Sequence, residues 1–148
     1  MSNKLYPCLW FDGQAKAAAE FYCSVFKDSK ILSVNPMAVV FEINQSKFMA
    51  LNGGPEYKFS AANSYIITCD TQEEIDYYWN NLIKDGGQES QCGWLKDKFG
   101  ISWQVTSPEM MKYLGGSDPE GAQRATQAMI KMTKINLEEM KAAYHLSI

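Results

Sequence analysis

The chain has 148 residues, of which 46% are hydrophobic and 21% charged, and 14 Lys and Arg stand against 17 Asp and Glu for a net charge of −3. This length suits one domain, or two small halves around one core, and the composition is typical of a globular protein rather than a disordered, collagen-like or membrane-spanning one. The single arginine and the scattered lysines form no cationic patch and no apolar run could span a membrane, so neither nucleic acid nor a membrane is an expected partner.

The first part of the chain predicts a strand, an amphipathic helix and three further strands. Residues 5–11 alternate as a strand does, and residues 15–26 place apolar side chains at helical spacing behind Asp12, the expected N-cap. The two faces of the first strand carry Leu9 and Phe11 on one side, and Tyr6, Cys8 and Trp10 on the other. The further strands are predicted at 30–34, 37–43 and 47–51, and the clearest loop signal is Asn52-Gly53-Gly54-Pro55.

The same order of elements then begins again. A strand is predicted at 64–69, and the helix after it begins behind Asp70 or Thr71, each of which has a glutamate three residues on. We expect Gly86 or Gly87 to end this helix. Its buried stripe is expected to comprise Ile75, Tyr78, Trp79, Leu82 and Ile83.

Three more strands complete the second pattern, at 88–91, 92–96 and 101–106, with a turn at 97–100. Trp103 alternates with Ile101 and Val105 and is expected in the core, whereas the face of Trp94 is undecided. Sliding one half over the other by roughly 57 residues aligns the two patterns, which predicts an internal duplication of one βαβββ module.

The remainder is predicted to be helical. Asp118 and Pro119 form an N-cap and first-turn pair that opens a helix reaching about residue 134. Asn136 together with Glu139 begins a second helix over 137–145.

The four cysteines, at positions 8, 23, 69 and 92, are spaced too far apart for a zinc ribbon or a redox C-x-x-C motif. Cys23 and Cys69 lie among apolar residues, so we expect them to be inert thiols in a reduced, cytoplasmic setting. A nucleophilic or redox Cys8 is a minor alternative, because only Lys4 lies near it in the sequence. The start of the chain lacks the apolar stretch of a secretory signal, which also favours the cytoplasm.

Three stretches of the sequence resemble the PhnB-like branch of the vicinal oxygen chelate superfamily, which also contains glyoxalase I, extradiol dioxygenases and bleomycin-resistance proteins. They are Pro7-Cys8-Leu9-Trp10-Phe11-Asp12-Gly13-Gln14-Ala15, Glu20-Phe21-Tyr22, and residues 92–105. The resemblance covers nearly the whole chain and implies one α+β domain over 1–148. In it, two βαβββ modules, at 1–54 and 60–107, form a curved mixed sheet around a cup, followed by a helical tail at 108–148. It also implies a homodimer, because a second subunit completes the cup in many relatives.

The relatives hold a catalytic metal with four side chains, usually His, Glu or Gln, from the first and last strands of the two modules. Carried onto this sequence, these places fall on Gln104, Ser64 and Ala50, with the fourth near Cys8 or Tyr6. An amide, a hydroxyl, a methyl and a thiol make a poor site for a divalent metal, so no metal and no other cofactor is expected. The one histidine, His145, lies in the terminal helix and is expected to be a surface residue rather than a ligand.

The resulting interpretation is a metal-independent protein that binds a small molecule of unknown identity in the cup, by shape, stacking and hydrogen bonds. The candidate ligand-binding residues are Tyr6, Cys8, Trp10, Ala50, Ser64 and Gln104. No catalytic residue can be assigned. The helical tail has two open roles, a lid over the cup or a clasp for the second subunit.

The alternative is an enzyme of the superfamily, or the 3-demethylubiquinone 3-methyltransferase activity with which PhnB-like proteins are often labelled. A methyltransferase that uses S-adenosylmethionine would normally show a glycine-rich loop after the first strand of a Rossmann-like unit. The glycine pairs at 53–54, 86–87 and 115–116 lack that spacing and context. Whether the chain is an enzyme stays open at this point.

Overall fold

The computed structural model describes residues 4–146 and divides the chain into two compact units, the first ending at Phe59 and the second beginning at Ser60. The first unit contains β1 (Cys8–Phe11), α1 (Ala15–Val25), β2 (Ser29–Val34), β3 (Ala38–Ile43) and β4 (Ser46–Asn52). The second contains β5 (Ser64–Thr68), α2 (Gln72–Leu82), β6 (Gln88–Glu89), β7 (Trp94–Lys96), β8 (Ser102–Thr106), α3 (Pro108–Leu114), α4 (Pro119–Ile130) and α5 (Leu137–Tyr144). The fold is α+β, as the sequence predicted.

The two units repeat one module. Each holds a four-stranded mixed sheet, in the order β1-β4-β3-β2 and β5-β8-β7-β6, and in each sheet the first strand pairs in parallel with the last. The helices α1 and α2 both have 11 residues, and α2 begins and ends 57 positions after α1. The duplication and its offset are therefore confirmed.

The first helix lies against its own sheet through a continuous apolar stripe. The buried members of this stripe are Ala15, Ala18, Ala19, Tyr22 and Val25. The ring of Tyr22 stacks on Phe41 of β3 with centroids 6.1 Å apart, and Phe41 is itself buried. Burial of these side chains supplies most of what holds α1 in place, because helix propensity alone stabilises so short a helix poorly.

The predicted cap of this helix is wrong. The N-cap residue is Gln14 rather than Asp12, and its side chain makes no capping hydrogen bond. Asn52 replaces it from the far end of β4, since its Oδ1 accepts a 2.9 Å hydrogen bond from the Ala15 amide. The parallel register that sets Asn52 beside Phe11 brings this side chain to the start of α1, so tertiary structure supplies the cap.

The second helix agrees more closely with the prediction from the sequence. Thr71 is the N-cap and its hydroxyl accepts a 3.2 Å hydrogen bond from the Glu74 amide, which decides between the two predicted caps. Of the predicted stripe, Ile75, Trp79 and Leu82 are buried, whereas Tyr78 and Ile83 are partly exposed. The helix ends at Leu82, several residues before the two glycines.

The helical tail belongs to the second unit and departs from the prediction in two places. Helix α3 was not predicted, although Ser107 and Pro108 repeat the cap and first-turn signal of Asp118 and Pro119. Helix α4 ends at Ile130 instead of near 134, because the chain beyond it turns to pair with the loop before β7. Within residues 4–146, no helix is both long enough and apolar enough to cross a membrane.

Candidate ligand-binding site

One face of the second sheet packs on α2 and the other does not. On the helix side lie Tyr65, Ile67, Trp103 and Val105, and strand alternation places the opposite set away from the helix. We call this opposite surface the Gln104 face, which comprises Ser64, Ile66, Thr68, Trp94, Lys96, Ser102, Gln104 and Thr106. The strand register therefore confirms that Ser64 and Gln104 lie on the same face of the sheet.

The centre of the Gln104 face is a pair of polar side chains. The amide Nε2 of Gln104 donates a 3.0 Å hydrogen bond to the Ser64 hydroxyl oxygen, across the parallel strands β5 and β8. Among residues 4–146, no hydrogen bond is recorded at Gln104 Oε1, and the neighbouring Ile66 side chain is 64% exposed. The pair therefore presents one acceptor, one remaining amide proton and one hydroxyl proton beside an apolar surface.

An aromatic ring lies beside Gln104, and a cavity opens at the edge of the same sheet. Trp94 of β7 lies opposite Gln104 in the antiparallel register, which decides the face that the sequence left open. A cavity of about 290 Å³ opens at the sheet edge, lined in part by Trp94, Lys96 and Ser102. Its volume is at the lower end of those that bind small molecules.

The turn before β8 fixes the strand that carries Gln104. The Asp97 side chain is 2% exposed, and its Oδ1 accepts hydrogen bonds from the amides of Phe99 (2.9 Å) and Ile101 (3.1 Å). Its Oδ2 accepts a third from the Trp103 indole at 2.9 Å. The predicted turn at 97–100 is confirmed, and Trp103 is buried as expected.

The candidate ligand-binding residues Tyr6, Cys8 and Trp10 belong to the first unit and not to the Gln104 face. Cys8 is exposed and Trp10 partly so, while Leu9 between them is buried, as the alternation predicted. The Trp10 indole donates to the Gly54 carbonyl at 2.9 Å and meets the Tyr57 ring edge-on at 5.0 Å. Through this hydrogen bond and this ring contact, Trp10 holds the loop at residues 53–57 in place. Tyr6 precedes β1, and its ring lies 4.2 Å from Lys47 Nζ.

Ala50 is misplaced in the predicted set. It pairs with Leu9 and with Val39, both buried, and is itself 0% exposed on the side that packs on α1. Met49, which pairs with Cys8, and Leu51, which pairs with Trp10, are the β4 residues that lie beside Cys8 and Trp10 on their face. The face predicted for Ala50 is therefore wrong, because a shift of one residue along a strand reverses the face.

The thiols of Cys23 and Cys69 and the one histidine show no sign of a reactive site. Burial, together with the nearby Glu74 and Asp70 carboxylates, raises the pKa of the Cys69 thiol to about 12. Burial also raises the pKa of Cys23, although its hydrogen bond with Ser29 lowers it in part. Both are therefore protonated at neutral pH, as predicted for inert thiols. His145 is exposed at the end of α5, against the ring of Tyr144 at 4.9 Å.

The donor groups do not fit a divalent metal. In the part of the chain from 4 to 146, no three His, Cys, Asp or Glu side chains come together in a cluster that could hold an ion. The Gln104 face offers an amide and a hydroxyl, and the corresponding place in the first unit offers the Met49 thioether and the Cys8 thiol. Neither pair of groups, taken by itself, suits a hard or borderline cation.

Neither the turn from β1 to α1 nor the turn from β5 to α2 forms the loop that S-adenosylmethionine binding would normally use. In the first unit, the turn from β1 to α1 is Asp12-Gly13-Gln14, and in the second the turn from β5 to α2 is Cys69-Asp70-Thr71. Neither contains the two or three spaced glycines that let a cofactor approach the backbone of a Rossmann-like unit.

Comparison with known proteins places these features in context. The family model described as "3-demethylubiquinone-9 3-methyltransferase" matches residues 3–106. A search of curated proteins gave no match. A Bacillus cereus structure described as a putative 3-demethylubiquinone-9 3-methyltransferase, PhnB protein, is 32% identical, with a TM-score of 0.65 over 71% of this chain and 99% of that one.

More distant structures share the fold. A glyoxalase/bleomycin resistance protein from Albidiferax ferrireducens T118 is 13% identical, with a TM-score of 0.52 over 69% of this chain and 95% of that one. The fosfomycin resistance protein FosX from Listeria monocytogenes, solved with Mn(II) and sulfate, is also 13% identical, with a TM-score of 0.54 over 72% and 90%. At this identity the likeness concerns architecture alone.

Proposed function

Since the chain belongs to the family described as 3-demethylubiquinone-9 3-methyltransferase, with the glyoxalase/bleomycin-resistance fold, we propose that it is a PhnB-like protein that binds a small molecule without a metal ion. The site that we assign to this function is the Gln104 face of the second unit. Binding there depends on hydrogen bonds from Gln104 and Ser64 and on contact with Trp94.

The observation that carries the proposal is the hydrogen bond from Gln104 to Ser64. It fixes the amide plane of Gln104, so that Oε1 and the second amide proton point in set directions. A ligand with one donor and one acceptor side by side, such as a carboxamide, complements this amide. A flat or aromatic body on that ligand would contact the partly exposed Trp94 and the exposed Ile66.

Metal chemistry is not part of this proposal. The FosX structure from Listeria contains Mn(II), but here the Gln104 face offers an amide and a hydroxyl, which are poor ligands for such an ion. The methyltransferase description of the family is not adopted either, since neither strand-to-helix turn has the glycines that the cofactor needs.

Two further features belong to the proposal. We place the protein in the cytoplasm and assign it a homodimeric state, by analogy with the superfamily. Sedimentation equilibrium decides the second feature directly. A mass near twice the 16.7 kDa of the chain supports a dimer, and a mass of one chain contradicts it.

Benzamide is a suitable probe for the site, because it combines a carboxamide with an aromatic ring. In a titration followed by ¹⁵N NMR, we expect saturable shifts at the amides of Ser64, Ile66, Trp94 and Gln104, with a dissociation constant of about 1 mM or weaker for so small a ligand. Gln104→Leu should weaken binding at least about fivefold, by loss of the oriented amide.

The matched control is Gln127→Leu, which changes an exposed glutamine of α4. This variant should bind benzamide as the original protein does. Shifts that do not saturate, that cluster elsewhere, or that survive Gln104→Leu unchanged would overturn the assignment.

A further inference from the structure

The segment that links α4 to α5 is bound to the loop that precedes Trp94. We call residues 132–137 the docking segment. The amide of Cys92 donates to the Met132 carbonyl at 2.9 Å, and the amide of Gly93 donates to the Thr133 carbonyl at 2.8 Å. The helical tail is thereby joined by backbone hydrogen bonds to the residue next to Trp94.

A glutamine clamp holds the docking segment from its other side. Gln72, at the start of α2, donates from Nε2 to the Ile135 carbonyl at 2.9 Å and accepts at Oε1 from the Leu137 amide at 2.8 Å. Ile135 is completely buried and Leu137 nearly so. One side chain therefore satisfies two backbone groups of the segment that are 63 and 65 positions away.

An ion pair adds a third attachment. Lys134 Nζ lies 2.8 Å from Asp76 Oδ1, which also accepts a 3.0 Å hydrogen bond from Gln72 Nε2. The hydrogen bond from Lys134 holds the pKa of the Asp76 carboxyl below its ordinary value, and the bond from Gln72 lowers it further, against a smaller opposing effect of burial. The pair is partly exposed, so its contribution is smaller than that of the Gln72 clamp.

The backbone of the loop before Trp94 has an unfavourable conformation at Cys92, which other parts of the unit must stabilise. Cys92 has a φ of +59° and Gly93 a φ of +86°, and the left-handed region is unfavourable for a residue such as cysteine. A side chain at Gly93 would begin 2.9 Å from the Val105 carbonyl oxygen and 3.0 Å from Ile135 Cγ1. The Gly93 carbonyl in turn accepts from the Val105 amide at 2.7 Å, immediately after Gln104.

We propose that the docking segment is a positioning element of the ligand-binding site. By holding the left-handed turn at 92–93, it sets the start of β7 and so places Trp94 beside Gln104. This inference rests on the proposed function for the meaning of the site, but the placement of Trp94 can be measured without any ligand. Gln72 then acts on the site through the segment and makes no contact with a bound molecule.

Gln72→Leu tests the proposal, because leucine fills a similar space but leaves the Ile135 carbonyl and the Leu137 amide without their partner. In the absence of ligand, we expect the amides of Cys92 and Gly93 to exchange with solvent at least about tenfold faster. The Trp94 indole and Gln104 side-chain signals should shift, and the benzamide dissociation constant should rise at least about threefold. Gln127→Leu is again the matched control and should leave these signals unchanged.

Protection of the Cys69 amide, which donates to Thr106 at 2.8 Å, reports whether the sheet stays folded. If Gln72→Leu does not fold, Lys134→Gln removes only the ion pair and should give the same changes to a smaller extent. Faster exchange at Cys92 and Gly93 with unmoved Trp94 and Gln104 signals would overturn the proposal, since the segment would then stabilise the unit without positioning the site. If benzamide fails to bind the original protein, the proposed function fails, while the ligand-free signals still decide whether Trp94 depends on the segment.

Discussion

The indole Nε1 of Trp103 donates a 2.9 Å hydrogen bond to Oδ2 of Asp97, and both side chains are buried. A buried carboxylate is costly unless its oxygens are bonded. Here two backbone amides of the turn bond to the other oxygen. The buried Asp97 carboxylate therefore defines the turn that leads into β8 and Gln104.

Asp97→Ala should destabilise the protein by about 2–4 kcal/mol, because it leaves the Trp103 indole and two backbone amides without an acceptor. Urea unfolding followed by circular dichroism measures this change. Asp97→Asn retains one carbonyl oxygen and should cost less than the alanine variant. Asp12→Ala, at an exposed position, is the control and should change stability by less than about 0.5 kcal/mol. Equal stabilities for Asp97→Ala and the control would contradict this account.

Gly53→Ala should destabilise the first unit by about 1–3 kcal/mol, because the added methyl group would lie 2.3 Å from Trp10 Cε2. The indole would have to move and lose its hydrogen bond to Gly54. We expect a lower urea midpoint and a changed tryptophan emission. Gly115→Ala is the matched control, since its nearest heavy atom would lie at an ordinary 3.4 Å. A Gly53 variant as stable as this control would show that Trp10 does not depend on the close approach.

The sequence predicted those features that depend on local pattern. The helix periodicity and the burial of Trp103 follow from neighbours within a few residues and are confirmed, and of the two predicted caps of α2, Asp70 and Thr71, the structure has Thr71. The cap of α1 could not be found in this way, because Asn52 reaches Ala15 only after β1 and β4 have paired. Ser107 with Pro108 did carry the signal for α3, and the analogous pair at 118–119 shows that it could have been used.

In the candidate site, too, some residues could be placed from the local sequence pattern and others could not. Ser64 and Gln104 were grouped correctly, because the turn at 97–100 fixes the count along β8. Ala50 was assigned to the wrong face, because a shift of one residue along β4 exchanges it for Met49. The position of Trp94 depends on contacts with residues 132–133, about 40 positions away, which no local pattern reports.

Stability should fall as the pH rises above about 9, in part through Cys69. Its pKa is raised from 9.0 to about 12 in the folded protein, so its contribution is fully present below pH 9 and is lost as the pH rises towards 12. Burial raises the pKa values of Tyr65 and Tyr78 in the same direction. Urea midpoints measured from pH 8 to 10.5 should therefore decline, and Cys69→Ala should decline less steeply because it cannot ionise. Parallel slopes for the two proteins would exclude Cys69 as a source.

Nickel, zinc and manganese should each fail to bind with tight one-to-one stoichiometry at neutral pH. The reason lies in the donors, since Gln104 offers a weak neutral oxygen, and Ser64 offers a neutral hydroxyl that already accepts a 3.0 Å hydrogen bond from the Gln104 amide nitrogen. Isothermal titration calorimetry measures this. The double variant Ser64→His with Gln104→Glu is the informative comparison, because it puts an imidazole and a carboxylate at the same two positions and should bind zinc measurably. Tight uptake by the unmodified chain would contradict the metal-independent assignment, and it would do so whether or not the double variant binds.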